Sequence, residues 1–188
     1  MESTLPSDFR RGMVLMLDTV PHMLDDFHTV GTAQTKHRVH TRLRNLHTGR
    51  AVERVFSDNE RIPVVEIEQR RVQFAYAQAD QYVFLDAENY DEYILSAAQV
   101  GERRWFLREN EEYRALFLEG KLLDIVLPEH VTMKVVETAA PQRAAQQSTY
   151  KPARLEGGLE IMVPLFIGPG ELVKVDTQTR KYLGKEST

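Results

Sequence analysis

Five aliphatic residues near the end of this 188-residue chain, Leu159, Ile161, Val163, Leu165 and Ile167, stand two apart and constrain the fold more than any other feature. A β-strand turns alternate side chains to one face, so this spacing puts all five on one side of a sheet, lining a core. Pro164 sits inside the run and has no N–H to give a ladder, which predicts an edge or bulged strand. Gly157-Gly158 before the run and Gly168-Pro169-Gly170 after it supply turns at both ends.

The same period recurs along the chain. Val131, Met133 and Val135 alternate, as do Val173 and Val175; Val72–Tyr76 and Tyr82–Leu85 read as strands, and Leu116–Leu123 as a hairpin turning at Gly120. Ser96–Trp105 reads as the one short helix. Proline interrupts the pattern at Arg61-Ile62-Pro63 and at Leu127-Pro128-Glu129, because its ring fixes φ and removes a donor. Length alone is compatible with one large domain or several small barrels. The prolines favour three segments, 1–65, 66–128 and 129–188, of an all-β chain.

Net charge of −4 conceals an uneven distribution. The first segment carries 9 basic and 8 acidic residues, the second 7 and 13, the third 8 and 7, so the acidity lies in the middle. A mildly acidic total therefore leaves room for nucleic-acid binding, which depends on local basic faces. The chain has no cysteine, which removes disulfides and thiolate chemistry. The opening MESTLPSDFRRGMVLML lacks the charged-then-apolar order of a signal peptide, and no apolar run approaches a membrane span, so the expectation is a soluble cytoplasmic protein.

From Phe27 to Val52 there is no acidic residue, while Lys36, Arg38, Arg42, Arg44 and Arg50 are all present with four histidines. Lys36, Arg38, His40, Arg42 and Arg44 alternate with Val39, Thr41 and Leu43. An extended strand would show a basic ladder on one face and a semi-apolar face to the core, over on the order of 30 Å. Such a row suits a line of phosphates; it equally suits the solvated face of an ordinary barrel. Enzyme motifs are missing: there is no phosphate-cradling glycine loop, nucleophile elbow or zinc-hydrolase pattern, and His37 and His40 would fall on opposite faces of a strand. Asp25-Asp26 reads as a turn. No catalytic residue, metal site or cofactor is expected.

Lys151, Ala153, Gly158, Ile161, Val163-Pro164, Ile167 and Gly170 resemble, position by position, the C-terminal signature of the bacterial elongation factor P family. Ser7-Asp8-Phe9-Arg10 through Met16-Leu17-Asp18 is similar to the family's opening strand, and Leu43-Arg44 with Thr48-Gly49 and Val52-Glu53 to its next hairpin. Tyr82–Asp86 and Tyr90–Tyr93 resemble the start of its middle domain, so the likeness runs through nearly the whole chain. It implies three consecutive barrels, a KOW/SH3-like one (1–65) and two OB-like ones (66–128 and 129–188), in an elongated, tRNA-like monomer. It also implies a translation factor rather than an enzyme, with the ribosome, peptidyl-site tRNA and ribosomal RNA as partners, relieving stalls at consecutive prolines. A generic RNA- or protein-binding module of the same barrels is the alternative; only the translation factor should co-sediment with ribosomes carrying peptidyl-tRNA.

The resemblance places the family's tip loop, a Lys-Pro-Gly-Lys-Gly type whose second lysine or arginine is modified, at Gly31, Thr32, Ala33, Gln34, Thr35, Lys36 and His37. Gln34 falls at the modified position and offers an amide of little nucleophilicity, so the tip works unmodified or Lys36 takes over. The family's Gly-Asp-Thr loop is missing from Arg143–Tyr150, which reads RAAQQSTY. RNA contact is expected from Lys36, Arg38, His40, Arg42, Arg44, Arg143, Lys151, Tyr182 and Lys185. Tyr182 could stack on a base or serve as a core ring with a wet hydroxyl. An elongated three-barrel chain should scatter with a radius of gyration well above the roughly 16 Å of a compact domain of this length; a value near 16 Å would contradict that shape.

Overall fold

The computed structural model describes residues 2–32, 37–140 and 149–186. Every sheet is antiparallel, as period-2 sequences with short connections require. The expected all-β fold is what forms, as small curled sheets with little helix.

Strand β1 (Ser3–Thr4) leads into β2 (Val14–Leu17), β3 (Val20–Val30), β4 (Arg38–Asn45) and β5 (Ala51–Ser57), and β2 to β5 form one sheet in sequence order. Strand β6 (Ile62–Pro63) pairs with β1, and Val64 bridges to Leu15, so the ends of this segment fold back on its sheet. Phe9, Leu15, Leu24, Val39, Leu43, Phe56 and Ile62 fill the interior, with the Phe9 ring edge-on to Phe56.

Asp25 and Asp26 lie within β3, at a bulge opposite β4, and do not make the turn that two adjacent acids suggest. The reason is pairing: both carboxylates have arginine partners, Arg44 and Arg11. The β2–β3 hairpin turns through Asp18 (φ 49°) and Thr19 (φ 66°). Two positive-φ residues match the twist of flanking strands, but a β-branched side chain pays a steric penalty there.

The second sheet contains β7 (Glu68–Gln78), β8 (Gln81–Asp86), β9 (Glu92–Ser96), β10 (Glu112–Leu118) and β11 (Lys121–Val126), in the order β11-β10-β7-β8-β9. Glu119 and Gly120 turn the β10–β11 hairpin at positive φ, where the sequence puts its glycine. After β9 comes α1 (Ala97–Val100), whose Ser96 cap accepts from the Gln99 N–H while the Gln99 side chain accepts from the Ser96 N–H. A 3-10 turn, Gly101–Phe106, completes the helical stretch.

The third sheet contains β12 (His130–Thr138), β13 (Tyr150–Leu155), β14 (Glu160–Pro164), β15 (Leu172–Asp176) and β16 (Tyr182–Lys185), in the order β14-β13-β12-β15-β16. Leu159, Ile161, Val163, Leu165 and Ile167 are all buried, but one strand does not carry all five: β14 holds only Ile161 and Val163 and ends at Pro164 on the sheet edge, with Leu159 before it and Leu165 and Ile167 in the turn that follows.

Two compact units result: Met1–Gly101 with Glu109–Val126, and Glu102–Arg108 with Leu127–Thr188. Phe106 accounts for the excursion of 102–108 into the second unit, being buried in the core of the third sheet beside the partly buried Trp105. Within the first unit, Val14, Met23, Leu46, Leu116 and Leu123 form one apolar cluster shared by the first two sheets. Gly49 completes the seam. It sits at φ 75°, and a Cβ there would lie 2.1 Å from the Ala98 carbonyl oxygen, so only glycine fits.

Thr19 is exposed and has no packing to lose. Thr19→Gly should therefore raise the unfolding free energy by about 1 kcal/mol in urea titrations, and a destabilised variant would show that the turn is not strained.

Candidate nucleic-acid interface

Strand β4 divides its side chains as the alternation predicts. Val39, Thr41 and Leu43 are buried, Arg38 and Arg42 are exposed, and His40 and Arg44 are half-buried. Thr41 satisfies its hydroxyl by donating to the Arg54 carbonyl at 2.8 Å, which lets a polar residue sit on the core side.

The neighbouring strands change the meaning of the ladder. In register, Val30, Arg38 and Ser57 form one row across β3, β4 and β5; His28, His40 and Val55 form the next; Asp26, Arg42 and Glu53 form the third. The acid-free window in the sequence is thus flanked by acids at its base and not near its tip. Asp26 is itself held by Arg11, whose Nε donates at 2.9 Å, and that bond keeps the carboxyl below its ordinary range. Arg38 and Arg42 make no ion pair among the described residues.

Arg44 departs from the expectation of a free basic rung. Its Nε and Nη2 donate to Asp25 at 3.1 and 3.2 Å, and its Nη1 donates to Asp124 of β11 at 2.6 Å. Burial opposes the guanidinium charge, but Asp124 and Asp25 outweigh it and hold the group above its ordinary value. Asp124 is 2% exposed, so Arg44 links the first two sheets from inside.

Of the expected tip, Gly31, Thr32 and His37 are described and exposed; Ala33, Gln34, Thr35 and Lys36 lie outside the described residues. A Cβ on Gly31 would lie 2.7 Å from the His37 ring and 3.0 Å from its Cα, so the two sides of the neck nearly touch. β3 and β4 stay paired up to Val30 and Arg38. Arg143 also lies outside the described residues.

In the second unit, Lys151 departs from the expectation of an RNA contact. It is 6% exposed, donating to the carbonyls of Ala139 and, at 3.2 Å, Ala140. Lys185 pairs with Glu171 at 2.6 Å, and that bond, with the Gly168 N–H, holds the Glu171 carboxyl below its usual range. Tyr182 takes the second of its two readings: its ring packs against the third sheet's core, and burial pushes its phenol up. Sequence reasoning did not single out His28, whose ring stacks on His40 with centroids 5.1 Å apart and planes at 16°. The pairing of β3 with β4 would have found it. The described residues contain no group of three or more His, Asp or Glu placed to hold a metal ion, and no helix long and apolar enough to cross a membrane.

Three family models match the chain: "Elongation factor P (EF-P) KOW-like domain" over residues 6–62, "Elongation factor P (EF-P) OB domain" over 67–125, and "Elongation factor P, C-terminal" over 131–185. Among relatives, Elongation factor P of Synechococcus sp. (strain JA-3-3Ab) is 40% identical over 181 residues, covering 96% of this chain and 98% of the relative. That of Microcystis aeruginosa is 38% identical over 182 residues, with the same coverage of each. That of Desulfovibrio desulfuricans is 34% identical over 181 residues, again covering 96% and 98%.

Arg38 and Arg42 are the exposed cations of β4 free to neutralise phosphates. Replacing both with glutamine should flatten the slope of log affinity for tRNA against log salt by about 1.5 units, because each lost contact releases fewer counterions. Arg44→Gln should instead lower stability by about 3 kcal/mol, by stranding two carboxylates. An unchanged slope in the double variant would show that the row is only a solvated face.

Proposed function

The chain belongs to the elongation factor P family, and from that membership we propose that this translation elongation factor binds the ribosome beside peptidyl-site tRNA and promotes peptide-bond formation at consecutive-proline stalls. The observation that carries the reading is the display of Arg38 and Arg42, exposed and without ion pairs among the described residues, on the strand that rises to the tip. Phosphates of tRNA or ribosomal RNA are the ligands such a strand fits. The chemistry belongs to the ribosome. The factor contributes positioning: it restrains the acceptor end of the tRNA, lowering the entropic part of the barrier for a poor substrate such as proline.

In this reading the chain acts as a cytoplasmic monomer divided near residues 65 and 128, and its acidic middle segment faces protein rather than RNA. Gln34 acts unmodified, since its amide is a weak nucleophile, and Lys36 is the residue of the loop that could accept an extension.

Added to a cell-free system translating a proline-run message, the purified protein should relieve the pause, and it should co-sediment with ribosomes carrying peptidyl-tRNA. Protein from its native host should have the mass of the unmodified chain, or a raised mass that Lys36→Ala returns to the calculated value. Failure to relieve the pause or to co-sediment would favour a generic binding module, and a modification mapped to Gln34 would show that the tip is misaligned.

A further inference from the structure

The stacked pair His28 and His40 occupies the middle row of the outward face, between the row of Arg38 and the row of Arg42. His28 is exposed and His40 half-buried, and neither ring makes a hydrogen bond among the described residues, so ring nitrogens remain available to a ligand. Val30 and Val55, 52% and 44% exposed, border the pair and offer it no polar partner.

We propose that His28 and His40 form a proton-linked contact for an RNA phosphodiester, with Arg38 as the fixed charge beside it. This rests on the reading of β4 as an RNA-binding strand. Histidine changes charge between about pH 5 and 8, unlike the guanidinium groups above and below the pair. Two parallel imidazolium rings this close repel each other, and an anion set against both offsets that repulsion. A phosphodiester supplies that anion and keeps its own charge throughout the range. RNA binding therefore takes up protons, and the affinity gained is present at low pH and lost as pH rises through the bound-state titration.

The charged groups facing the pair agree with this assignment. From β3 comes Asp26, held by Arg11 and close enough to act on His28; from β4 come Arg38 and Arg42; from β5 comes Glu53, in register with Arg42. Asp26 and Glu53 both sit in the row of Arg42, leaving the tip-side row as the approach for an anion.

The test is binding of an unmodified tRNA transcript at fixed salt, from about pH 8 to about pH 6, with wild type, the double variant His28→Gln/His40→Gln and the double variant Arg38→Gln/Arg42→Gln. The wild type should tighten about fivefold or more as the pH falls, as roughly a one-unit rise in one imidazole on binding requires. The histidine variant should bind more weakly than the wild type at pH 6 and show no rise in affinity between pH 8 and pH 6. Calorimetry in buffers of different ionisation enthalpy should give proton uptake by the wild type, a readout free of any substitution. A pH-independent wild type that still weakens with the arginine variant would overturn the histidine contact and leave the RNA reading standing, as would a rise that survives in the histidine variant. No binding at any pH would overturn both.

Discussion

Arg44 is the interaction on which the candidate surface depends. Its guanidinium is taken largely out of water and is bidentate to Asp25 on β3, with a third bond to Asp124 on β11. A buried cation with satisfied partners adds little net stability compared with apolar packing, but it penalises every arrangement that leaves one of the three charges alone. It therefore specifies how the first two sheets meet. The surrounding contacts agree: the apolar cluster from Val14 to Leu123, the Gln99 amide donating to the Leu46 carbonyl at 2.9 Å, and Gly49 against Ala98. The base of β4 is fixed at this seam. Arg42, His40 and Arg38 are then presented in order along a strand whose direction is already set.

Much of the fold was legible because burial follows period. Leu159 through Ile167 and Val39, Thr41 and Leu43 are buried where alternation puts them, and Gly120 turns the hairpin that its place in the sequence announces. What could not be read was pairing between strands. The window from Phe27 to Val52 is free of acids, yet Asp25, Asp26, Glu53 and Asp124 arrive in register or across the seam from as far as 80 residues away. One-dimensional charge patterns omit such neighbours. For the same reason Arg44 looked like a rung, Asp25-Asp26 like a turn and Lys151 like a surface cation, when each is fixed by a partner distant in sequence. By position in the chain residues 102–108 belong to the middle segment, yet Phe106 carries them into the core of the third sheet.

The ladder is graded rather than uniform. At its base a guanidinium is neutralised, next Arg42 stands between acids, then two histidines stack, and last Arg38 stands clear of ion pairs among the described residues. Positive charge thus becomes more available toward the tip, the end the proposal brings against tRNA. A gradient of this kind orients an anionic partner as well as attracting it. The positioning role proposed for this factor asks for both: a fixed base, and a charged end that holds a phosphate backbone without chemistry of its own.

Site-directed photo-crosslinking tests this account most directly. A photoreactive residue at position 38 of the full-length protein, bound to ribosomes stalled at consecutive prolines, should crosslink to the peptidyl-site tRNA, while the same residue at position 76, on the acidic middle segment, should not. Crosslinks to tRNA that are absent at position 38, or equal at the two positions, would contradict the assignment of the outward face of β4 as the RNA surface.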